Sequence, residues 1–296
     1  MYLCTLNQLV LTIMKKVFCT LLAVVLTVTL FAQGKVSTRK YILNDFTDKV
    51  TRVVLTGNEV LDSGLRQEVV NNWTSSAFEF CTVADFEANK KSDLYYFLIP
   101  AESRFKDEED PGIMFLTLVK GNPEAGEGLS DMTEIISLPL MAAAGGTGRE
   151  LIYLGALVRG IQEFTLEAME SEKTAYSMDL WFNRGFAKEA KMKQIMIAEE
   201  DLAETVTPSM LERYLDDDML VCSAQEADSA YIDGSYHTLT SYSVAPFMPK
   251  EGASYCYTML FDAQSKSLCY IHRHKITKKA GTGFNIDDLK RIASKR

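Results

Sequence analysis

Apolar positions along the chain fall into two rhythms, short continuous runs and a helical spacing of three to four residues, and from residue 51 the two alternate in an ordered way. Val53-Val54-Leu55 is a short apolar run of the kind buried strands use. Leu65, Val69 and Trp73 then recur at i, i+4 and i+8, the spacing of one helix face, with Asp62 or Ser63 placed to cap it. A short strand, Phe78-Glu79-Phe80-Cys81, follows and leads into a polar turn through Asp85 and Glu87. Three more strands are predicted at about 93–99, 113–120 and 133–139.

The same order returns downstream. Ile195-Met196-Ile197 opens it, and Thr207-Pro208 starts a helix, with threonine as cap and proline at the first helical position. The strand Met219-Leu220-Val221-Cys222, a polar turn through Glu226 and Asp228, and strands at about 236–244, 254–262 and 267–276 complete it. Val53 to Cys81 spans 28 positions and Ile195 to Cys222 spans 27, so Cys81 and Cys222 take equivalent places. The fold class this predicts is α+β, built of two tandem related β-α-β-β-β-β units joined by helices.

Between the units, Gly145-Gly146-Thr147-Gly148 gives a turn, and Thr147 with Glu150 has the spacing of a capping box. Leu151, Leu154, Val158 and Ile161 line one face of the next helix, whose uncharged first turns predict burial between the units or against a sheet. A second helix, about 178–192, carries Trp181, Phe182 and Phe186. The last two strands form a hairpin through a four-residue loop, 263–266. A final helix is capped by Asn285, with Phe284 and Leu289 at hydrophobic-staple positions. The expected divisions are 33–145 for the first domain, 146–192 for the connecting helices and 193–296 for the second domain.

The run of strand, helix, strand, turn and three strands that begins at Val53-Val54-Leu55 and the Leu65 to Trp73 helix resembles the N-terminal domain of TolB. It is also similar to the core of the curli-secretion lipoprotein family. That resemblance covers roughly 90 residues per copy and implies a cell-envelope protein that acts through protein contacts. It brings no functional residue with it. No cysteine able to carry a lipid follows the signal, no propeller repeats follow the unit, and the unit occurs twice.

The N-terminus changes the picture of where such a protein works. Lys15-Lys16, a 15-residue apolar run from Val17 to Phe31, and Ala32-Gln33-Gly34 are the three parts of a secretory signal peptide. The run is short of the roughly 20 residues a membrane span needs. Met14 precedes the lysines, so residues 1–13 read as a mis-assigned start. Cleavage after Ala32 leaves 264 of the 296 residues and a formal charge of −11, against −9 for the whole chain. So acidic a chain repels phosphate backbones, which argues against nucleic acid as a partner. A periplasmic or secreted location follows, and the mature chain contains no transmembrane run.

Export also permits disulfides. Cys81, Cys222, Cys256 and Cys269 remain after processing and allow three connectivities, which the sequence does not choose between. Counted from the 263–266 loop, Cys269 should face Leu260, which disfavours a direct Cys256–Cys269 bridge. His272 and His274 alternate on a strand and so share one face. With a carboxylate, and with His237 from the same unit, they are the candidate metal ligands of a metal-dependent hydrolase. Surface histidines on an edge strand are the simpler alternative. Neither Gly-x-Ser-x-Gly nor His-Glu-x-x-His occurs, and the glycine turn lacks the Gly-Lys-Ser/Thr of a phosphate loop. The leading expectation is an exported, non-catalytic protein that binds another envelope component and carries no cofactor, with Trp181, Phe182 and Phe186 as candidate contacts. A structural subunit of a surface assembly is the third reading.

Overall fold

The chain builds two mixed sheets that share one strand order. In the computed structural model residues 35–36, 43–171, 174, 177–215 and 217–295 are described. The signal-peptide features lie outside the described residues. In the first sheet, β1 (Lys35–Val36) adds parallel to the edge of a five-strand set. There β2 (Val50–Leu55) lies between β3 (Phe78–Thr82) and β4 (Tyr95–Ser103), parallel to both, and β5 (Ile113–Lys120) and β6 (Thr133–Ala142) continue antiparallel beyond β4. The second sheet repeats this with β7 (Gln194–Ala198) between β8 (Met219–Cys222) and β9 (Thr238–Val244), then β10 (Tyr255–Asp262) and β11 (Ser267–Lys275). Helices α1 (Glu59–Asn72), α2 (Val83–Asn89), α3 (Arg149–Glu170), α4 (Met178–Asn183), α5 (Phe186–Met192), α6 (Pro208–Tyr214), α7 (Ala224–Ile232) and α8 (Ile286–Ala293) accompany the strands.

The correspondence extends to register. Cys81 pairs with Val54 and Cys222 with Ala198, at the same step of each parallel ladder. In the closing hairpins Lys120 faces Thr133 and Asp262 faces Ser267. One step on, Val119 faces Glu134 and Phe261 faces Leu268. A bulge then adds one residue to the last strand of each unit, Ile135 in the first and Cys269 in the second, and pairing resumes at Leu118–Ile136 and Leu260–Tyr270. Cys269 therefore does not face Leu260 as loop counting predicts. It is the extra residue of the bulge. An ion pair also recurs with its sign reversed along the strand. Lys120 of β5 binds Asp45 (2.8 Å), whereas Asp262 at the equivalent place in β10 binds Lys193.

The fold class is α+β with two matching units, as the sequence pattern predicts, but each unit has one more helix than expected. The polar segments after Cys81 and Cys222 are not turns. Thr82 and Asp85 form a reciprocal capping box that starts α2, and Ser223 and Glu226 do the same for α7. Short helices with so few apolar positions read as turns by hydrophobic periodicity alone. The cap of α1 also moves. Asn58 accepts from Val60 N and Leu61 N, while Asp62 reaches back to Thr56 N and Gly57 N, at 2.8 Å each. Helix 178–192 is two helices, divided at Arg184-Gly185.

Helix α3 is buried on most of its circumference. Leu154, Leu157 and Ile161 meet Leu116 and Leu118 of the first sheet and Tyr257, Met259 and Phe261 of the second in one continuous core. The sheets also touch directly. Tyr242 Oη donates to Leu140 O (2.8 Å), and the rings of Phe115 and Tyr257 meet edge-on at 5.5 Å. The other face of the second sheet, with Leu239, Leu260 and Tyr270, is covered by Phe186 and Ala190 of α5 and by Leu289 and Ile292 of α8. Phe284 and Leu289 are both fully buried at the start of α8, and Asn285 caps it in a box with Asp288. The staple and cap read from the sequence hold that helix.

Candidate functional site

The alternation of β11 sends His272 and His274 to its outer face, where α8 crosses. The box at the start of α8 fixes Asp288, whose Oδ2 accepts from Asn285 N (3.2 Å) and whose side chain is fully buried. His272 Nδ1–H donates to Asp288 Oδ1 at 2.6 Å. His274 Nε2–H donates to Gly281 O at 3.3 Å, which leaves Nδ1 turned toward Asp288 Oδ2, 3.6 Å away and beyond a hydrogen bond. Burial lowers the His274 pKa, against the opposing pull of Asp288. One ligand atom from each of the three side chains lies within 4.8 Å of the other two. The carboxylate expected beside the two histidines is thus Asp288, brought in by the last helix.

His237 is not part of this cluster. It precedes β9 with φ +53° and stacks on Tyr236 at 3.9 Å. Six positions of strand separate it from Ser243, which faces Thr258 and through it His272. That distance is about 20 Å at the usual rise of a strand. Shared membership of a unit says nothing about which end of a strand a residue occupies.

Phe182 and Phe186 are core residues, 5% and 3% exposed, because the faces that present them pack on α3 and β11. Trp181 is half-buried and meets Phe164 and Phe182 edge-on. The aromatics expected as contacts mainly seat α4 and α5. Among the described residues, Cys81, Cys222, Cys256 and Cys269 are unpaired. Burial pushes the Cys256 thiol up to about 12, against the opposing effect of the hydrogen bond it accepts from Gly283 N at 3.0 Å. No family model, curated protein or solved structure matches the chain.

The glycine turn before α3 does not cradle an anion. Gly148, not Thr147, is the N-cap, in the left-handed region that favours glycine, and the Glu150 carboxylate takes the N–H groups of Thr147 (3.1 Å) and Gly148 (2.9 Å). Behind the turn, Arg149 reaches into the second unit. It binds Asp228 through Nε (2.8 Å) and Nη2 (3.0 Å), Asp201 through Nη1 (3.0 Å) and Ser241 O (3.1 Å). Tyr153 Oη donates to Asp228 at 2.9 Å. Every group in this constellation is partnered, so it is a structural clamp.

An open groove of about 610 Å³ lies between the two units. One wall is the acidic loop of the first unit with Glu108, Glu109 and Asp110, and the other is Pro246-Phe247-Met248-Pro249 of the second. The walls meet where Gly112 lies against Pro246, so close that a Cβ would stand 2.6 Å from Pro246 Cγ. Phe247 and Met248 are 80% and 85% exposed. Glu102, also in the lining, has its pKa raised by burial. Sequence periodicity passes over this loop because it belongs to no element. Its one signal is a pair of large apolar residues held between prolines.

Proposed function

We propose that this is an exported, non-catalytic binding protein that holds a basic, partly apolar segment of another cell-envelope protein in the groove between its two units. The observation that carries the reading is the pairing of exposed Phe247 and Met248 with an acidic wall. Large apolar side chains left in water beside charge of one sign mark interaction surfaces. Four carboxylates against one lysine, Lys250, in the lining select a cationic partner. The secretory pattern at Lys15 to Ala32 supplies the compartment, and the resemblance in element order to TolB's N-terminal domain supports an envelope role. Matched strand order, register and bulge in the two units support an internal duplication, which would create the groove at the junction.

The test is binding of short synthetic peptides that alternate lysine with leucine or tryptophan, followed by fluorescence anisotropy, with peptides carrying glutamate in place of lysine as controls. The basic set should bind and lose affinity as salt rises. Replacing Phe247 and Met248 together by serine should weaken binding roughly tenfold or more while leaving the fold intact, as expected for apolar anchors at a contact. Equal affinity for both peptide sets, or no effect of the double substitution, would refute the groove as the binding site.

A further inference from the structure

His274 carries an unmet electrostatic demand. Its Nε2–H is committed to Gly281 O, so Nδ1 presents a lone pair to the buried Asp288 carboxylate at 3.6 Å without a hydrogen bond between them. Two acceptors facing each other in a buried site need a cation between them. A metal ion held by the cluster, whose three ligand atoms lie within 4.8 Å of one another, meets that need.

We propose that His272, His274 and Asp288 form a binding site for a divalent transition ion of the zinc class, which ties the C-terminal helix α8 to β11. Two imidazole nitrogens and a carboxylate oxygen are a donor set such ions accept, with a fourth place left for water. Ligand atoms around a tetrahedral zinc stand about 3.4 Å apart. The 3.6 Å pair already fits, and the 2.6 Å hydrogen bond between His272 and Asp288 opens as His272 moves its proton from Nδ1 to Nε2. The surroundings are those of a metal-bound histidine. The ring nitrogen of His274 away from the site is held by a backbone carbonyl, which fixes tautomer and orientation. The carboxylate is held by a backbone N–H, from Asn285. His272 is 23% exposed by its side chain and gives the ion a way in.

The experiment uses the untagged protein, freed of metal by chelator, titrated with Zn²⁺ by calorimetry and with Co²⁺ by visible absorption. One equivalent should bind, with the intense bands of tetrahedral cobalt. A hundredfold excess over Kd should raise Tm by roughly 5 °C or more. His272→Ala, at the partly exposed ligand, should keep its circular dichroism and lose at least about tenfold in affinity, the usual scale for losing a ligand or its support. His237→Ala should bind as the parent does. The proposal is overturned if the parent binds no ion, if His272→Ala binds as tightly, or if His237→Ala weakens binding equally, the mark of unspecific surface chelation. Asp288→Asn serves as a second variant. Its loss of cobalt bands with an unchanged far-ultraviolet circular dichroism spectrum supports the site, and retention of the bands counts against it.

Discussion

Replacing Arg149 by methionine isolates the clamp between α3 and the second unit. The Arg149 side chain is 14% exposed and holds two carboxylates whose side chains are 2% (Asp201) and 11% (Asp228) exposed. Methionine fills much of the volume and leaves both charges behind. Their residual partners differ. Asp201 keeps Ser241 Oγ (2.6 Å), Ser243 N and Ser243 Oγ (2.9 Å each), whereas the hydrogen bonds remaining to Asp228 reduce to that from Tyr153. Most of the cost therefore falls on Asp228. Breaking a buried pair from one side costs about 3–5 kcal/mol, which for a chain this size lowers Tm by roughly 6–20 °C. Neutralising the stranded carboxylate should return part of that loss. Thermal and guanidinium unfolding of Arg149→Met, Asp228→Asn and the double variant close a cycle whose coupling should exceed about 2 kcal/mol. A single variant within about 1 kcal/mol of the parent, or a double variant equal to the sum of the singles, would refute the idea that unpaired burial sets the cost.

Further outcomes follow from other contacts. Burial works to raise the Asp45 pKa, but hydrogen bonds from Lys120, Lys49 and Tyr96 outweigh it and hold the carboxyl at about 2. Because the folded value lies below the unfolded one, this stability is complete above about pH 4 and is lost as pH falls through about 2. It should amount to about 1 kcal/mol after solvent screening, and Asp45→Asn should flatten the parent's stability profile over that interval. Gly283 has φ +89°, and a Cβ there would stand 2.3 Å from Asp201 O, so Gly283→Ala should destabilise by about 2–4 kcal/mol in urea. The buried Cys256 thiol, pushed up to about 12, should resist iodoacetamide in the native protein and react on unfolding, as followed by peptide mass mapping. Native labelling as fast as in denaturant would refute its burial.

Strands and the longer helices were legible because each has a clear period. Leu61, Leu65 and Val69 are buried on α1, and the 263–266 loop closes its hairpin as spacing predicts. The bulge at Cys269 was not, since one extra residue leaves no mark in the pattern of apolar positions. Helices α2 and α7 announce themselves through Thr82-x-x-Asp85 and Ser223-x-x-Glu226, a polar signal that a search for apolar faces misses. The candidate metal centre was half visible. The histidine pair follows from strand alternation, but Asp288 lies fourteen positions beyond His274, and only the fold of the intervening loop brings it back. The Phe247–Met248 wall was missed because a loop has no periodicity to read.

Helix α3 belongs to neither half of the chain. Its one face lies on β6 and its other reaches β11, with α1 and α7 along its flanks. A polypeptide that ends in the glycine turn before it would leave the upstream sheet without the helix that packs against β6, its apolar face open to water. Nonsense mutations anywhere near the midpoint should therefore behave genetically as full deletions, with quality-control proteases clearing a remnant too sticky to persist.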